Sequence, residues 1–360
     1  MRVLVLWADD ASPNLGVRVL ARGAQRLWTQ ARPGDEFVFQ DFRAGETGHA
    51  LDRAVVLRDA VGLDRRVSAL LDEADIVLDT GAGDSFTDIY GRKRLALMTY
   101  VRQAAYRRRL PLVLMPQTIG PFRHRTSKVV ARRTLATAVL AIARDPASAR
   151  EAADLGRPAD CVATDVVFAL PAPSQGPSRD ILMNVSGLLW YGEGGLPADK
   201  YRAAVRETIE ALRAAGRTVT LLAHVLDNRW RDNDVLALRD LSAEMRGSLE
   251  IVVPDGLNEA RALMAGSSLV VGSRMHACLN ALSVGTPAVP LAYSRKFAPL
   301  MADLGWNYTI DLRDFDGAAA RVASLAASES LASDLCGLRE RASVRLGRAV
   351  DAIRSVDWGH

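Results

Sequence analysis

The sequence of 360 residues contains only three cysteines, at positions 161, 278 and 336. They form no CxxC pair and no metal-ligand spacing, so we expect neither a disulfide framework nor a metal site. No apolar run approaches the ~18 residues of a membrane-spanning helix, and no signal-peptide pattern opens the chain. We therefore expect a protein of the reducing cytoplasm, with at most a peripheral membrane contact through a basic face.

Aromatic residues make up only 6% of the sequence, and the formal net charge is only +4. Nucleic-acid-binding domains usually combine a stronger basic bias with interleaved aromatic residues, so we expect no nucleic-acid partner. The positive charge is mostly arginine, clustered at 107–109, 123–133 and 144–150. Such clusters suit small anionic ligands or anionic glycans, although solvated helix faces also carry them. The sequence leaves the oligomeric state open, including a homo-oligomer.

Several common catalytic and cofactor motifs are missing. The stretch Gly81–Gly83 is not a dinucleotide fingerprint, because GxGxxG would need glycine where Phe86 stands. No GxxxxGK[ST] phosphate loop, no HExxH zinc motif and no GxSxG nucleophile elbow occurs. The sequence therefore gives little support for NAD binding and none for these other chemistries.

Predicted strands and helices alternate along both halves of the chain, a pattern typical of parallel sheets covered by helices. Three prolines and two serines fall within Pro171–Ser178, the clearest linker in the sequence. We predict an α/β protein of two Rossmann-like lobes, at 1–172 and 179–330, with a cleft between them. A final helix within 331–360 is expected to pack back on the first lobe.

The stretch Ser268–Lys296 has the most informative pattern. It predicts a buried strand, then a helix with apolar residues at helical spacing, then a second strand. Ser273 is expected to cap the helix, which puts Arg274 and His276 where the strand ends and the helix begins. Ligands of open α/β sheets bind at such strand ends, and helix N-termini favour anions. A solvated cap without a ligand is the alternative, and the two side chains share one side only if residues 272–276 are extended.

Further candidate residues follow other predicted strands, and facing sheets would bring these strand ends to one cleft. Four residues would then surround an anion there: Arg144, Arg274, His276 and Lys296. Arg144 could instead pair only with Asp145 or Glu151. His224, after another strand, could be a polar residue satisfied within the core.

Trp190 and Tyr191 lie in the predicted loop Ser186–Gly195, beside several glycines. Aromatic faces stack on sugar rings, so an exposed pair in this loop would suit a sugar acceptor. The alternative is that both rings pack into the core.

Three segments together resemble the polysaccharide pyruvyl transferases: PQTIGPF, which ends at Phe122, RDPAS, which begins at Arg144, and SRMHACLNALSVGTP, which continues to YSRK. The resemblance runs from about Asn14 to Leu304, and SRMHA is its most specific part. It implies a glycosyltransferase-B-like fold and transfer of a pyruvyl group from phosphoenolpyruvate to two hydroxyls of a sugar. The sugar would belong to a glycan or glycolipid precursor, a ketal would form and phosphate would be released. No organic cofactor is implied.

The resemblance, together with the positions of residues in loops and after predicted strands, predicts roles for particular residues. Donor contacts are expected at Arg144, Arg274, His276, Lys296, Ser273 and His224. Acceptor contacts are expected at Trp190, Tyr191, Asn14, Asp84 and Gln117. The early loop of the family usually reads asparagine, any residue, glycine, aspartate, but Val17 takes the place of the aspartate here. This departure is consistent with a changed acceptor.

Phosphoenolpyruvate carries a phosphate and a carboxylate a few ångströms apart, which two arginines could clamp. We expect Arg274 and His276 to be catalytic, with His276 as general acid or acid/base and Asp84 or Asp165 as base. Two alternatives stay open. One is a nucleotide-sugar-dependent glycosyltransferase of the same architecture, in which Glu259 or Asp255 holds the ribose. The other is a non-catalytic glycan-binding relative.

Overall fold

The computed structural model describes residues 1–42, 50–293 and 297–358. The chain divides into two compact units. Unit 1 comprises Met1–Ser12, Val17–Leu170 and Ala342–His360, and unit 2 comprises Pro13–Gly16 and Pro171–Arg341. Each unit contains a six-stranded sheet in which neighbouring strands are parallel, so the predicted fold class is confirmed. Within the described residues, no helix combines the length and apolarity needed to span a bilayer.

The sheet of unit 1 has the strand order β2-β1-β3-β4-β5-β6. Its strands are β1 (Arg2–Leu6), β2 (Glu36–Gln40), β3 (Ile76–Asp79), β4 (Leu112–Gln117), β5 (Leu140–Ala143) and β6 (Cys161–Val162). Its helices are α1 (Leu15–Ala31), α2 (Arg53–Ala60), α3 (Arg66–Asp72), α4 (Arg92–Arg107), α5 (Arg125–Thr137) and α6 (Pro146–Asp154), followed by a 3-10 helix (Val166–Ala169).

Local sequence explains where α6 begins. Asp145 is its N-cap, and its carboxylate accepts the N–H of Ser148 at 2.8 Å. Pro146 occupies the first turn, where its missing N–H costs no helical hydrogen bond. Arg144 is therefore held between the end of β5 and a fixed helix start.

The sheet of unit 2 has the strand order β12-β11-β10-β7-β8-β9. Its strands are β7 (Arg179–Asn184), β8 (Val219–Leu222), β9 (Glu250–Val252), β10 (Ser267–Gly272), β11 (Ala288–Ala292) and β12 (Ile310–Asp311). The helices from here on are α7 (Gly187–Trp190), α8 (Ala198–Ala214), α9 (Asp234–Glu244), α10 (Leu257–Ala265), α11 (Met275–Val284), α12 (Phe297–Asp303), α13 (Ala318–Ala326) and α14 (Ser330–Ser355).

The last helix contributes to both units, because the division of the chain falls within α14, after Arg341. In unit 1, residues of its second half pack with Trp358 in a buried cluster that also contains residues of α1 and β1. The rings of Trp28 and Trp358 meet edge to face, with centroids 5.0 Å apart. The core of unit 1 thus combines the first and the last part of the chain.

The strand order of unit 2 reverses between β7 and β10, which lie side by side although two strands separate them in sequence. Ligands of doubly wound α/β sheets bind outside the carboxyl ends of the strands at such a switch point. In unit 2 those ends are Asn184 and Gly272, which are paired in register. The topology therefore directs attention to the residues that follow them.

Candidate functional site

Two residues, Ser273 and Arg274, connect the end of β10 to the start of α11. Arg274 is the N-cap, with φ −92° and ψ 126°, and α11 begins at Met275. The prediction that Ser273 caps this helix is therefore wrong. Its hydroxyl instead accepts a hydrogen bond of 2.8 Å from the hydroxyl of buried Tyr201. The extended conformation ends at Arg274, and His276 lies in the first turn of α11.

Two carboxylates hold the guanidinium of Arg274. Nη2 donates to Oδ1 of Asp234 at 2.7 Å, and Nε donates to the same oxygen at 3.2 Å. Nη2 also donates to Asp232. The side chain of Asp234 is fully buried, whereas that of Asp232 is 25% exposed. Nη1 of Arg274 makes no hydrogen bond to any residue that the structure describes.

Asp234 accepts six hydrogen bonds from the described residues, two of them from Arg274. Its Oδ1 also accepts the N–H of Gly187, and its Oδ2 accepts the N–H groups of His224 and Val225 and the side-chain amide of Asn184. Burial opposes ionisation, but the charge and hydrogen bonds of Arg274 and these N–H groups outweigh it, so the pKa of Asp234 lies below its usual value. Asp234 therefore stays anionic and orients Arg274.

A close backbone contact lets the start of α7 reach Asp234. A Cβ at Gly187 would lie 2.2 Å from the carbonyl oxygen of Asn233. Asn233 is the N-cap of α9, and its side chain accepts the N–H of Leu236. Only glycine at 187 allows its N–H to approach the first residue of α9.

His224 follows β8 and is 1% exposed. Its Nε2 lies 3.2 Å from Nδ2 of Asn280, a residue of α11. Burial lowers the pKa of His224 to about 3, against the attraction of Asp234, and the charges of His276 and Arg274 lower it further. His224 is therefore neutral at pH 7. His224 is linked to both neighbours: its backbone N–H and the Arg274 guanidinium share Asp234, and Asn280 contacts both its ring and the carbonyl oxygen of His276.

The early loop contributes Asn14 and Gly16 to unit 2. Asn14 forms a β-bridge with Val225, and the side-chain oxygen of Asn14 accepts the N–H of Gly16 at 2.9 Å. A Cβ at Gly16 would lie 3.0 Å from Nδ1 of His276 and 3.1 Å from Oδ1 of Asn14. Glycine at 16 therefore lets this loop lie against the His276 ring. Unit 2 thus brings together the predicted residues Asn14, His224, Ser273, Arg274 and His276.

Three of the predicted donor- or acceptor-binding residues belong to unit 1, and Arg144 is one of them. Its Nη1 donates to the buried carboxylate of Asp165 at 3.1 Å, and its Nη2 donates to the hydroxyl of Thr118 at 2.6 Å. The alternative pairing with Asp145 or Glu151 is wrong, because Asp145 caps α6 and Glu151 accepts the N–H of Phe122. The candidate base Asp165 is therefore already bound to an arginine.

The other two are Gln117 and Asp84. Gln117 is fully buried, and its side-chain amide donates to the carbonyl oxygen of Asp79 at 2.7 Å. The carboxylate of Asp84 accepts a 2.6 Å hydrogen bond from the hydroxyl of Tyr90. Asp84 is thus the more accessible of the two.

The expectation of exposed aromatic residues between 186 and 195 is wrong for Trp190. Residues 187–190 form helix α7, and the Trp190 ring is 1% exposed. The guanidinium of Arg202 lies 5.2 Å from the ring centroid and also donates to the Trp190 carbonyl oxygen. Burial of this large ring removes apolar surface from water, which stabilises the folded protein. The hydroxyl of Tyr191, which is partly buried, donates to Asp240.

Two further predictions concern Lys296 and the alternative glycosyltransferase. Lys296 lies outside the residues that the structure describes, so its role in donor binding stays a prediction. In the alternative glycosyltransferase, Glu259 or Asp255 would hold a ribose. The carboxylate of Glu259 accepts the backbone N–H of Asp255 at 2.6 Å, ahead of α10.

The sequence did not predict the residues that bind or contact the predicted site residues. Asp234 and Asp232 bind Arg274, and Asn280 contacts His224. Asp234 had one recognisable signal, because Asn233 before it is a good N-cap and marks a helix start. Asn280 lies on α11 four residues after His276, within one turn of the helix. Neither signal identifies the site residue that Asp234 or Asn280 contacts.

Comparisons with known proteins bear on the family and the fold of the chain. A sequence profile described as polysaccharide pyruvyl transferase matches residues 14–295. The amylovoran biosynthesis protein AmsJ of Erwinia amylovora is 25% identical over 256 residues. That match covers 65% of this chain and 60% of AmsJ, so the chain spans less than two thirds of this relative.

Solved structures share the fold at low sequence identity. The S. aureus MnaA–UDP structure has a TM-score of 0.62 at 13% identity, covering 98% of this chain and 96% of that one. UDP-GlcNAc 2-epimerase from Neisseria meningitidis, bound to UDP-GlcNAc, has a TM-score of 0.60 at 13% identity, with 98% and 99% covered. Anabaena HepE with UDP and glucose has a TM-score of 0.56 at 14% identity, with 98% and 97% covered. These likenesses confirm the predicted glycosyltransferase-B-like fold class.

Proposed function

Because the chain belongs to the polysaccharide pyruvyl transferase family, we propose that it transfers the pyruvyl group of phosphoenolpyruvate to two hydroxyls of a sugar. The acceptor is a sugar of a glycan or glycolipid precursor, the product is a ketal, and phosphate is released without an organic cofactor. The similarity to an amylovoran biosynthesis protein supports a role in polysaccharide assembly. The observation that carries the proposal is the cluster of Arg274, His276 and His224 at the switch point of unit 2.

Arg274 is proposed to bind an anionic group of the donor. Its guanidinium is held on the Nε and Nη2 side by Asp234 and Asp232, while Nη1 has no partner among the described residues. It stands at the N-terminus of α11, where unpaired N–H groups and the helix dipole also favour an anion. A planar, fixed donor group of this kind suits a carboxylate or phosphate.

The proposed reaction removes two protons from the sugar hydroxyls and delivers two, one to a carbon of the donor and one to the leaving phosphate. The methylene carbon of phosphoenolpyruvate takes up a proton and becomes a methyl group, and the neighbouring carbon gains oxocarbenium character. One sugar oxygen bonds to that carbon, and the second replaces the phosphate. The two hydroxyls together lose two protons, which balance the proton on the methyl group and the one that leaves with phosphate. His276 is proposed as the acid/base group, because an imidazole exchanges protons near neutral pH.

Phosphate release from phosphoenolpyruvate, measured against a panel of lipid-linked and nucleotide-linked sugars, tests this function. Arg274→Lys keeps the charge but loses the planar fork, so donor binding should weaken several-fold. His276→Gln keeps a hydrogen bond but cannot carry a proton, so kcat should fall by about 10²–10⁴-fold with a smaller change in donor affinity. Arg313→Lys, which changes an exposed arginine of unit 2, is the matched control and should leave both values unchanged.

Two outcomes would contradict the proposal. If calorimetry shows no binding of phosphoenolpyruvate at millimolar concentration, the chain is a non-catalytic glycan-binding relative. If labelled nucleotide sugars give a glycosylated product without phosphoenolpyruvate, it is a glycosyltransferase. Near-normal turnover of His276→Gln would move the acid/base role to another residue.

A further inference from the structure

A row of buried polar side chains leads from Arg261 to the ring of His224. Nη1 of Arg261 lies 2.9 Å from Oδ1 of Asn280, and Nδ2 of Asn280 lies 3.2 Å from Nε2 of His224. Arg261 is 3% exposed, Asn280 is fully buried and His224 is 1% exposed. They come from α10, from α11 and from the segment after β8. Their contacts are therefore set by the tertiary packing of unit 2.

Two neighbours fix the orientation of the Asn280 amide. A guanidinium has only donors, so the amide atom that faces Arg261 must be the acceptor oxygen. A carbonyl oxygen only accepts, and the carbonyl oxygen of His276 lies 2.7 Å from Nδ2 of Asn280. Both contacts require the same orientation. The amide nitrogen therefore uses one hydrogen for His276 and has the other for His224.

This orientation decides which ring nitrogen of His224 carries the proton. Because the amide nitrogen of Asn280 donates, Nε2 of His224 must accept and is unprotonated. A neutral imidazole then carries its proton on Nδ1. Nδ1 has no hydrogen-bond partner within the described part of the chain. The ring thus presents one N–H donor that the protein itself does not use.

The charge of Arg261 opposes a second proton on the ring. Its acceptors are all neutral: Oδ1 of Asn280, the hydroxyl of Ser283 at 2.8 Å and the carbonyl oxygen of Pro171 at 3.0 Å. No carboxylate among the described residues neutralises it, and burial lowers its pKa to about 10. Because like charges repel, the positive charge of Arg261 beside Oδ1 of Asn280 disfavours a positively charged His224 beside Nδ2. Burial also lowers the pKa of His224, against the attraction of Asp234, and the charges of His276 and Arg274 lower it further.

We infer that Asn280 and Arg261 are positioning residues that hold His224 as a neutral imidazole, protonated on Nδ1, whose N–H donates to the anionic donor substrate. The identity of that ligand rests on the proposed function, whereas the protonation state of the ring does not. A neutral ring of this kind binds an anion but cannot release a proton to it at pH 7. Proton transfer is thereby left to His276.

Nitrogen NMR on protein with ¹⁵N-labelled histidine tests the protonation state directly, with the His224 signals assigned by their loss in His224→Asn. Across roughly pH 5–8, where an ordinary histidine titrates, Nε2 should show the shift of an unprotonated nitrogen and Nδ1 that of a protonated one. A proton on Nε2, or a titration midpoint near the ordinary value of about 6.5, would overturn the inference. The wild-type spectrum decides the protonation state, and His224→Asn serves only to assign the signals.

Variants then test the positioning role. Asn280→Ala removes the donor to Nε2, so His224 should populate both tautomers, and phosphoenolpyruvate should bind about 2–10-fold more weakly. Ser283→Ala removes a different hydrogen bond of Arg261 and should leave the tautomer unchanged. A single, unchanged tautomer in Asn280→Ala would refute the role of Asn280. If the tautomer is as inferred but the wild type does not bind phosphoenolpyruvate, the proposed donor is wrong and the positioning of His224 stands.

Discussion

Replacing Asp232 with asparagine removes one of the two carboxylates that hold the guanidinium of Arg274. Asp234 has six hydrogen bonds and is fully buried, whereas the carboxylate of Asp232 bonds only to Arg274 among the described residues. An anionic donor that approaches Arg274 must therefore compete with Asp232 rather than with Asp234. We expect Asp232→Asn to strengthen the binding of phosphoenolpyruvate.

The exposure of the two side chains sets the expected size of the effect. The side chain of Asp232 is 25% exposed and that of Arg274 is 11% exposed. Exposed ion pairs contribute roughly 0.2–1 kcal/mol, and partial burial places this pair near the upper end. About 1 kcal/mol corresponds to a roughly fivefold lower Kd. Asparagine preserves the size of the side chain, so the change isolates the loss of the charge.

Isothermal titration of phosphoenolpyruvate into the wild type and Asp232→Asn measures this change. Asp311→Asn removes an exposed carboxylate that pairs with Arg313 in the same unit, and it should leave the Kd unchanged. The difference should shrink at high salt, because the pair is partly exposed. An unchanged or higher Kd in Asp232→Asn, with normal binding by the wild type, would refute the competition between Asp232 and the donor.

Backbone conformation gives two further predictions, both measured by urea denaturation. Gly187→Ala places a Cβ 2.2 Å from the carbonyl oxygen of Asn233, so the free energy of unfolding should fall by about 1–3 kcal/mol. Gly347→Ala is the control, because it adds a Cβ in open space within α14. It should raise the free energy of unfolding by roughly 0.5–1 kcal/mol. Equal effects of the two changes would contradict the steric argument. Ala82→Gly removes the side chain from a residue with a left-handed φ of 48°. The strain that is relieved should exceed the entropic cost of glycine, so the free energy of unfolding should rise by about 0.5–1 kcal/mol. A loss of stability would show that Ala82 is not strained.

The central segment could be predicted from the sequence because its signals are local. An apolar run, a helical spacing and a following glycine predict strand, helix and strand, and the structure has β10, α11 and β11 there. Gly285 ends α11 with φ 93°, a left-handed conformation that glycine adopts without strain. The position of Arg274 and His276 at the strand–helix junction follows from the same pattern.

The remaining site residues could not be predicted, because their roles depend on contacts across the sheet. Asp234 lies 40 positions before Arg274 in the chain, and Asn280 lies 56 positions after His224. Nothing in the local pattern of either residue identifies its partner. Trp190 shows the opposite problem, since an aromatic residue among glycines suits both an exposed sugar site and a buried helix. Its burial on α7 depends on packing against other elements of unit 2.

The division of the chain within α14 has a consequence for how the protein folds as it is synthesised. Unit 1 is built mostly from the first 170 residues, but its buried cluster also needs Leu346, Ala349, Val350, Ile353 and Trp358. A ribosome releases these residues only after all of unit 2 has been made. The apolar face formed by α1 and its neighbouring strands therefore stays uncovered until residues 342–358 have been made, and removing those residues would leave that face exposed and prone to aggregation.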